Sequence, residues 1–414
     1  MALFNLSTLK RTRYLVESTF GISGSGQPAY NDIPVESITL STDTEQLPIA
    51  ILQQRKDGVE LNEQGRTKPK VVIKQLMYGA PTPLSASATA PLTSHQAILT
   101  STIMGGYYVN SGSGVVTPGS ASFTVDTGTG TRFKVGQLVT ALDTTSGKYR
   151  SRLVSAISGD VITLACAFPT TIASGSTIFN GYHSFFRDDA SGSLQVQMQG
   201  ADTSDQWAAT GLQGTFAFEN VLGNTPHITY TLNGANWISQ SLGSLPLVDY
   251  TTSVPRNSIP VFSDSEILLY PRSSPTTTVT ASNINCMGAT ITPTIEWQDV
   301  ATAGGVNNIA AWVRKPAKVV GEITPYFGTN GREFWDARAN KQEYAMQITI
   351  GSRPGNMRVI MLPRVQITDA QEADNSSVLG QKIAVMALKN NLTDAQSSTG
   401  FEDLAQSLLV LAQF

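Results

Sequence analysis

Residues 344–368, with the sequence YAMQITIGSRPGNMRVIMLPRVQIT, constrain the fold more than any other stretch of this chain. Apolar residues alternate there with small or polar ones, and a period of two is typical of a strand with one buried face. The apolar members are Tyr344, Met346, Ile348 and Ile350. The next six residues, GSRPGN, are of types that form turns, and a second apolar run follows them. The stretch therefore predicts a β-hairpin whose second arm ends or bulges at Pro363.

The same kind of unit occurs earlier in the chain. Residues 71–79 (VVIKQLMYG) resemble residues 319–328 (VVGEITPYFG), and each segment precedes a turn-rich stretch and a predicted helix. The helices are expected at 94–103 and 332–341. Residues 215–232 place a Gly-Asn turn between two alternating arms, as Gly355 and Asn356 do in the later hairpin. We interpret this as an internal duplication of a β-rich domain; a chance resemblance between short β patterns is the alternative.

Residues 107–182 interrupt the first copy. They contain five short β patterns separated by glycine-containing turns at near-regular spacing. The patterns are SFTVDTG, RFKVGQLVTAL, RSRLVSAI, DVITLACAF and STIF. This spacing favours an inserted, SH3-like small β-barrel. Because insertions are tolerated where the ends of a surface loop lie close together, we expect the barrel to fold as its own unit.

The predicted fold class is mainly β (α+β), with two tandem β-sandwich domains, each with a flanking helix, and the inserted barrel. The expected segments are an N-terminal arm at 1–30, a discontinuous first domain at 31–106 and 183–240, the barrel at 107–182, a proline-rich linker at 241–270 and a second domain at 271–414. The second domain is expected to end in an amphipathic helix. Thr399 and Glu402 have the capping-box spacing, and Leu404, Leu408 and Leu411 recur at helical intervals.

Charge and cysteine content argue against several classes of protein. Charged residues are only 14% of the 414-residue chain, and 31 acidic and 28 basic residues give a net charge of −3. Because the basic residues are scattered, tight binding to nucleic acid is not expected. Cys166 and Cys286 lie in apolar or small-residue surroundings, which suits buried thiols and not a disulfide framework or a zinc site. We expect neither an export signal nor a membrane span, because no long apolar segment is found.

No catalytic motif emerges from the sequence. His95, His183 and His227 have no second histidine at metal-ligand spacing, and the glycine clusters fit hairpin turns better than nucleotide-binding loops. In a strand, neighbouring acids such as Asp188 and Asp189 point to opposite faces, which does not suit the paired carboxylates of a glycosidase. We therefore expect no enzyme activity, no cofactor and no metal, and an acid-pair glycosidase is the least favoured function.

The strand, helix and hairpin unit, the strand MLPRVQITD and the later strand VLGQKIAVMALKN resemble the tail tube (major tail) proteins of long-tailed bacteriophages. The resemblance is best over 319–391 and weaker over 31–106 and 184–237. It implies rings stacked around a channel through which the genome leaves, and two-domain versions form homotrimeric, pseudo-hexameric rings. It also implies a place in the virion tail after assembly in the host cytoplasm. The partners that it implies are further copies of the chain, the terminator, tape measure and tail tip proteins, and DNA in transient, non-specific passage. The barrel departs from the minimal pattern and is expected on the tube exterior.

Uncharged polar strand faces supply the candidate functional residues. In residues 194–200 (LQVQMQG), three glutamines share one face of a predicted strand, and the later hairpin has a similar polar face. The candidates for the channel lining or a subunit interface are Gln195, Gln197, Gln199, Gln347 and Thr349. Such a lining lets DNA slide, whereas lysines hold it through counterion release. The alternative function is a glycan-binding, adhesin-like surface protein in which the barrel binds sugar.

Overall fold

The computed structural model of the protein describes residues 11–21, 31–49, 61–79, 95–187, 192–199, 206–221, 224–239, 265–272, 284–306, 309–326, 331–353, 355–375, 378–392 and 402–414. Within these ranges nearly all regular secondary structure is β-strand, accompanied by three helices and a single 3-10 turn at Gly130–Arg132. The predicted mainly β fold is thereby confirmed.

The first half of the chain, up to residue 239, holds two groups of strands around the insertion. Before the insertion lie β1 (Arg11–Val16), β2 (Asn31–Asp32), β3 (Ser37–Ile49), β4 (Leu61–Leu76), α1 (His95–Met104) and β5 (Gly105–Val109). The insertion contains β6 (Ser113–Thr117), β7 (Ser122–Val125), β8 (Leu138–Asp143), β9 (Lys148–Ser158), β10 (Val161–Leu164) and β11 (Thr177–Asn180). After it come β12 (Tyr182–Phe186), β13 (Leu194–Gln199), β14 (Gln206–Val221), β15 (His227–Asn233) and β16 (Asn236–Ser239).

The second half begins at residue 265. Its first elements are β17 (Glu266–Pro271), β18 (Cys286–Thr294), β19 (Trp297–Val306), β20 (Ile309–Arg314) and β21 (Lys318–Pro325). The remaining ones are α2 (Gly331–Ala339), β22 (Glu343–Ile350), β23 (Arg358–Asn375), β24 (Val378–Ala387), α3 (Glu402–Gln406) and β25 (Val410–Gln413).

β22 and β23 form the predicted hairpin. Met346 lies opposite Leu362, and Ile348 lies opposite Ile360. These four side chains are buried in the main apolar core of the protein, together with Tyr344 and the other apolar members of the alternating set. The core face predicted from the period of two is therefore confirmed.

The turn and the bulge of this hairpin also follow from the sequence. Gly351 and Gly355 have φ angles of 87° and 94°, which glycine adopts without a steric penalty. The register shifts between Tyr344 and Met346, opposite Pro363. Because proline has no N–H to give to the ladder, the strand bulges there and continues.

The two halves pair their strands in the same order. In the first half the hydrogen-bonded neighbours run β1–β13–β14–β15–β4–β3. In the second half they run β17–β22–β23–β24–β21–β18, and every pair in both series is antiparallel. The loop between β14 and β15 thus corresponds to the connection between β23 and β24. The equivalence with the turn at Gly355 and Asn356 was wrong, and Gly223 itself lies outside the described residues.

The halves are joined edge to edge. β14 pairs with β18, with Phe218 opposite Ile291 and Val221 opposite Gly288. One continuous sheet therefore runs β3–β4–β15–β14–β18–β21–β24–β23–β25–β12–β5. The main core collects apolar side chains from both halves, among them Phe218 and Ile291. The joint is thus sealed by packing as well as by backbone hydrogen bonds.

The insertion forms a closed barrel with the strand order β10–β7–β6–β11–β8–β9. Its interior is a separate cluster of buried apolar residues that includes Phe123, Phe133 and Ile162. Five of its strands overlap the five predicted patterns, one strand to each pattern. β6 was missed because SGVVT is short and opens on Ser-Gly, which reads as turn. The antiparallel pair β5 and β12 forms the stem that connects the barrel to the rest of the chain.

Two expected connecting segments contain strands of the sheets. Arg11–Val16, expected within an arm at 1–30, form β1, and Tyr14 and Leu15 are fully buried. Glu266–Pro271, expected to lie mostly within a linker at 241–270, form β17 against β22. In both cases a short apolar run next to glycine- or proline-rich sequence is recruited by a neighbouring strand. Residues 1–10, 22–30 and 240–264 lie outside the described residues.

The expected C-terminal helix is a further correction. It ends at Gln406, and β25 follows it, inserted between β12 and β23. Every residue of β25 is buried. Leu404 and Leu411 have helical spacing, but the open slot between two strands gives VLAQ two sets of backbone partners, and that tertiary pairing decides the conformation. Thr399 lies outside the described residues.

Candidate functional site

The barrel is packed against the second half. β17, β22, β23 and β25 present one face to the main core, and we call the opposite face, which meets the barrel, the outer face of the second sheet. Leu138, Leu153 and Cys166 of the barrel share a buried apolar cluster with residues of this face. The sheet contributes Leu268, Tyr270, Ala345, Met357, Val359, Met361, Val410, Ala412 and Phe414. The expectation of a barrel that folds separately does not fit this shared core.

Backbone contacts also fix the barrel to its surroundings. The N–H of Tyr149 donates to the carbonyl oxygen of Ser352 over 2.9 Å. Gly136 has a φ of 88°, and a Cβ atom there would lie 2.6 Å from the carbonyl oxygen of Leu404. Because any larger residue would push the barrel away from α3, this approach requires glycine.

Buried charges cross the same contact. Arg150 Nη1 lies 3.0 Å from Glu266 Oε1, and Arg152 Nη1 lies 3.3 Å from Glu266 Oε2. Arg152 is 1% exposed and Glu266 is 5% exposed. Arg152 Nε also donates to the carbonyl oxygen of Ala167. Removing one member of such a group leaves the other charge buried without compensation, so the group fixes how the barrel sits on β17.

Gln347 and Thr349 belong to this contact. Gln347 is fully buried, and its Nε2 donates to the carbonyl oxygen of Ser151 over 2.8 Å and to Thr349 Oγ1 over 3.0 Å. Thr349 is 1% exposed. Both side chains face the chain's own barrel, so the interpretation of them as lining a channel is corrected.

Gln195, Gln197 and Gln199 lie together on β13, the strand of the first half that corresponds to β22. Each is at most 2% exposed. Gln197 Oε1 accepts a hydrogen bond from Arg13 Nε over 2.5 Å, whereas the side-chain amide of Gln195 is buried without a hydrogen-bond partner among the described residues. The structure thus groups these three, and it places Gln347 and Thr349 in the other half. A role for the three glutamines in a channel or an interface stays a prediction.

Glu17 is a buried carboxylate that the sequence analysis missed. Its Oε1 accepts from the N–H of Gly211 over 2.8 Å, and its Oε2 accepts from the N–H of Gly21 and from Ser193 Oγ. Burial raises the pKa of this carboxyl group, and the three hydrogen bonds oppose the rise. Glu17 therefore ties the segment after β1 to a bend in β14. A single acid in a glycine-rich region gives no sequence signal for such a role.

A hairpin from the second half lies against the first half. β19 and β20 pair with each other and extend the β18–β21 hairpin beyond the main sheet. The polar contacts are Trp297 Nε1 to Gly214 O (2.9 Å), Trp312 Nε1 to Gly211 O (2.6 Å), Arg314 Nη1 to Met104 O (2.9 Å) and Lys68 Nζ to Asp299 Oδ2 (2.9 Å). Nothing in the sequence indicated this contact, which joins the halves in addition to the β14–β18 and β12–β25 pairings.

An apolar cleft of about 560 Å³ opens beside the stem. Tyr107 is 61% exposed and stacks on Tyr182, with ring centroids 5.5 Å apart. The hydroxyl group of Tyr182 donates to Ser101 Oγ over 3.0 Å, and this hydrogen bond holds the Tyr182 ring in place. Val16, Ile98 and Val109 also line the cleft. It is an exposed aromatic surface next to a pocket of ligand size.

Among the residues that the structure describes, no group of three or more His, Cys, Asp or Glu side chains is arranged to hold a metal ion. No helix in the described ranges has the length and apolar character needed to span a bilayer.

Comparisons with known proteins give only weak likenesses. No family model matches the chain, and no curated protein matches it. Among solved structures, the chain is similar to the SPP1 tail tube, with a TM-score of 0.23 and 12% identity over 32% of this chain and 74% of the other. It is also similar to a type six secretion system protein, with a TM-score of 0.18 and 12% identity over 30% of this chain and 79% of the other. Likenesses of this size carry no argument about the function of the chain.

Proposed function

We propose that this protein is a structural subunit of a virion tail tube, whose copies form rings that stack around a channel for genome ejection. The observation that carries the proposal is the joint between β14 and β18, which links two units of identical strand order edge to edge. A joint between two different surfaces is heterologous, and its repetition produces rings or filaments. A chain that makes this joint once internally is suited to making it again between copies.

The finer form of the proposal is a homotrimer of pseudo-hexameric shape. Each chain supplies two tail-tube-like β-sandwich units, so three chains supply six. The resemblance seen over residues 319–391 of the sequence supports this version, as does the repeated order of strand pairing. Closing the units into a ring removes free sheet edges, which otherwise promote aggregation.

The chemistry of the chain suits a passive conduit. Charged residues are 14% of the sequence and the net charge is −3, so passing DNA meets few cationic groups that would hold it. We assign the protein no enzymatic activity, cofactor or metal. Its partners would be further copies of itself, the terminator, tape measure and tail tip proteins, and DNA in transit, in a virion tail assembled in the host cytoplasm.

Negative-stain microscopy and light scattering of the purified full chain test the proposal. We expect rings or tubes, with the smallest closed species having the mass of three chains. A monodisperse monomer at high concentration, unchanged after prolonged incubation, would overturn it.

The stacked pair Tyr107 and Tyr182 favours a second candidate function, glycan binding at the root of the barrel. Sugar rings pack well on exposed aromatic faces, and the cleft beside the pair is large enough for one or two rings. Calorimetric titration of the protein and of Tyr107→Ala with an oligosaccharide panel tests this candidate. Saturable binding that Tyr107→Ala abolishes, without rings or tubes in the microscope, would favour it over the tail tube.

A further inference from the structure

The internal joint between the halves also specifies how one copy should meet the next. The two halves can be aligned from a bulge that both have, between Leu194 and Val196 in β13 and between Tyr344 and Met346 in β22. Counted from this bulge, and allowing for the further bulge of β23 between Ile367 and Asp369, Phe216 corresponds to Ala370.

Phe216 and Ala370 each belong to a row of paired residues that crosses the sheet, and the rows match Ile73 with Ile323, two residues away from the match between the sequences 71–79 and 319–328. In the first half the row is Ile38, Ile73, Tyr230 and Phe216. In the second half it is Ala289, Ile323, Ile383 and Ala370. β3 therefore corresponds to β18, and β14 corresponds to β23.

Two sheet edges, those of β3 and of the end of β23, have no neighbouring strand among the described residues, although the corresponding edges of β18 and β14 have one. β14 and β18 pair with each other, whereas β3 and the end of β23 do not pair together. Along one side β3 pairs with β4, and no described strand pairs with its other side. The end of β23 pairs with β24 on one side, and no described strand pairs with its other side beyond Ala370, where Trp335 Nε1 of α2 donates to the carbonyl oxygen. Thr39 and Glu372, on these two edges, are exposed.

We propose that β3 of one copy pairs antiparallel with the end of β23 of the next copy, in the register that β18 and β14 adopt within the chain. In the internal joint Phe218 lies opposite Ile291, and these residues come two positions after the row members Phe216 and Ala289. The corresponding row members are Ala370 and Ile38, and the residues two positions after them are Glu372 and Leu40. The predicted register therefore places Leu40 opposite Glu372 and Thr39 opposite Ala373. This inference rests on the proposed function and adds the surface through which the ring closes.

Each half also has a hairpin arm that extends beyond this joint. β19 and β20 extend the β18–β21 hairpin and lie on the first half through Trp297, Trp312 and Arg314. β3 and β4 likewise run on past Leu40 as a long antiparallel pair, in which Asp43 lies opposite Lys68 and Gln46 opposite Gln64. By the same correspondence this arm lies on the second half of the next copy. Ser41, Thr42 and Asp43, at its base, are exposed.

The occupant of both edges is a second copy of this chain because the two edges match a joint that the chain already makes. The edges are different surfaces, so the contact runs head to tail and ends only when the ring closes. The packing chemistry is not identical, since Glu372 stands where Phe218 stands in the internal joint. What repeats is the backbone pairing and its register.

Disulfide trapping across the predicted register tests the inference. Residues directly opposite each other in antiparallel strands have Cα atoms about 4.5 to 5.5 Å apart, within the range of a disulfide. The test variants are Leu40→Cys with Glu372→Cys and Thr39→Cys with Ala373→Cys. The control is Leu40→Cys with Ala373→Cys, which points the two thiols to opposite faces. The native Cys166 and Cys286 are buried, and the unmodified protein controls for them.

All proteins are assembled under reducing conditions, checked by microscopy, then oxidised and run on non-reducing gels. We expect at least one matched pair to give covalent dimers and trimers, with the control and the unmodified protein giving neither. Rings or tubes in which matched pairs cross-link no more than the control would overturn the inferred register and leave the proposed function standing. Cross-links that form only within single chains would also overturn it. If the unmodified protein gives no assembly at all, the proposed function fails and this inference fails with it.

Discussion

The two halves of this protein use the same strand order and the same inner face, but they differ in what their outer faces carry. Val196 and Met198 on β13 face the main core, as do Met346 and Ile348 on β22. On the opposite face, β13 carries three glutamines, whereas β22 and its neighbours carry an apolar patch that the barrel covers. The residue types on the inner face are determined by the fold of the unit, whereas those on the outer face depend on the partner that covers it.

This difference changes the role of the barrel. An appendage needs only its two chain connections, but this barrel supplies apolar side chains, two arginines and several backbone groups to the second sheet. The barrel is inserted in the first half of the sequence, yet most of the surface that it covers belongs to the second half. The barrel therefore joins the halves in addition to the β14–β18 and β12–β25 pairings and the contact of the β19–β20 hairpin.

Removing the barrel should have the largest effect. Val109 lies opposite Tyr182 at the end of the stem, so residues 110–181 can be replaced by Asn-Gly to give a hairpin. We expect an insoluble or aggregated protein, because the deletion uncovers the apolar outer face of the second sheet, where each large side chain contributes about 1.5 to 3 kcal/mol of burial. Soluble yield, size-exclusion profile and dye binding to exposed apolar surface measure the effect. A soluble variant with unchanged melting would show the separately folded appendage that the sequence analysis predicted.

Gln347→Lys should destabilise the protein by about 3 to 5 kcal/mol, since it buries a charge beside a carboxylate, Glu266, that Arg150 and Arg152 already neutralise. The position is fully buried and shares the Ser151 carbonyl oxygen with Arg152, so the new ammonium group would also meet a like charge. Urea unfolding measures the change. Gln347→Met is the matched control, because it keeps the volume and loses only the hydrogen bonds. If Gln347→Lys unfolds like the unmodified protein, the barrel does not cover β22 in solution.

These two cases show where sequence reasoning succeeds and where it ends. Alternation in residues 344–350 and the turn chemistry of Gly351 and Gly355 are local, so the hairpin and its core face could be predicted. The fate of Gln347 depends on Ser151, 196 residues away, and an uncharged polar residue suits solvent, a channel or a buried contact equally well.

The errors at the chain ends have a related cause. Leu404, Leu408 and Leu411 satisfy helical spacing, and the sequence contains no sign of the slot between β12 and β23 that turns residues 410–413 into a strand. β1 was likewise hidden beside a glycine-rich segment. Short apolar runs fit either period, and long-range pairing selects between them.

Ile348→Ala and Met198→Ala form a matched pair of variants that tests the inner faces of the two halves. Both residues are buried in the main core on corresponding strands. We expect Ile348→Ala to lower the free energy of unfolding by about 2 to 5 kcal/mol through lost burial and a cavity. Met198→Ala should cost less within that range, since methionine packs adaptably and is 5% exposed. Urea unfolding of the two variants measures both. No loss of stability at either position would mean that the strand presents its other face to the core.

The smallest expected effect is a pH dependence that reports on the barrel contact. His183 on β12 is fully buried, and its Nε2 lies 3.0 Å from the backbone nitrogen of Leu138 in the barrel. Burial lowers the pKa of His183 from 6.5 to about 4, and hydrogen bonds to the backbone oppose the shift only in part. The folded protein thus keeps His183 neutral at pH values where the unfolded chain takes up a proton. Its contribution is fully present above pH 6.5 and is lost as the pH falls towards 4, by up to roughly 3 kcal/mol.

Urea midpoints measured between pH 7 and pH 4 test this dependence, with His183→Gln as the control. Glutamine does not titrate, and its amide oxygen can accept a hydrogen bond from the N–H of Leu138, so the variant should lose much of the slope. Some slope should remain, because burial also lowers the pKa of His95 in the core of the first half, where Asp32 opposes the shift. The two histidines therefore divide the acid sensitivity between the barrel contact and the first-half core. Identical slopes for the variant and the unmodified protein would mean that His183 is hydrated in the folded state, which requires the barrel to stand away from the stem.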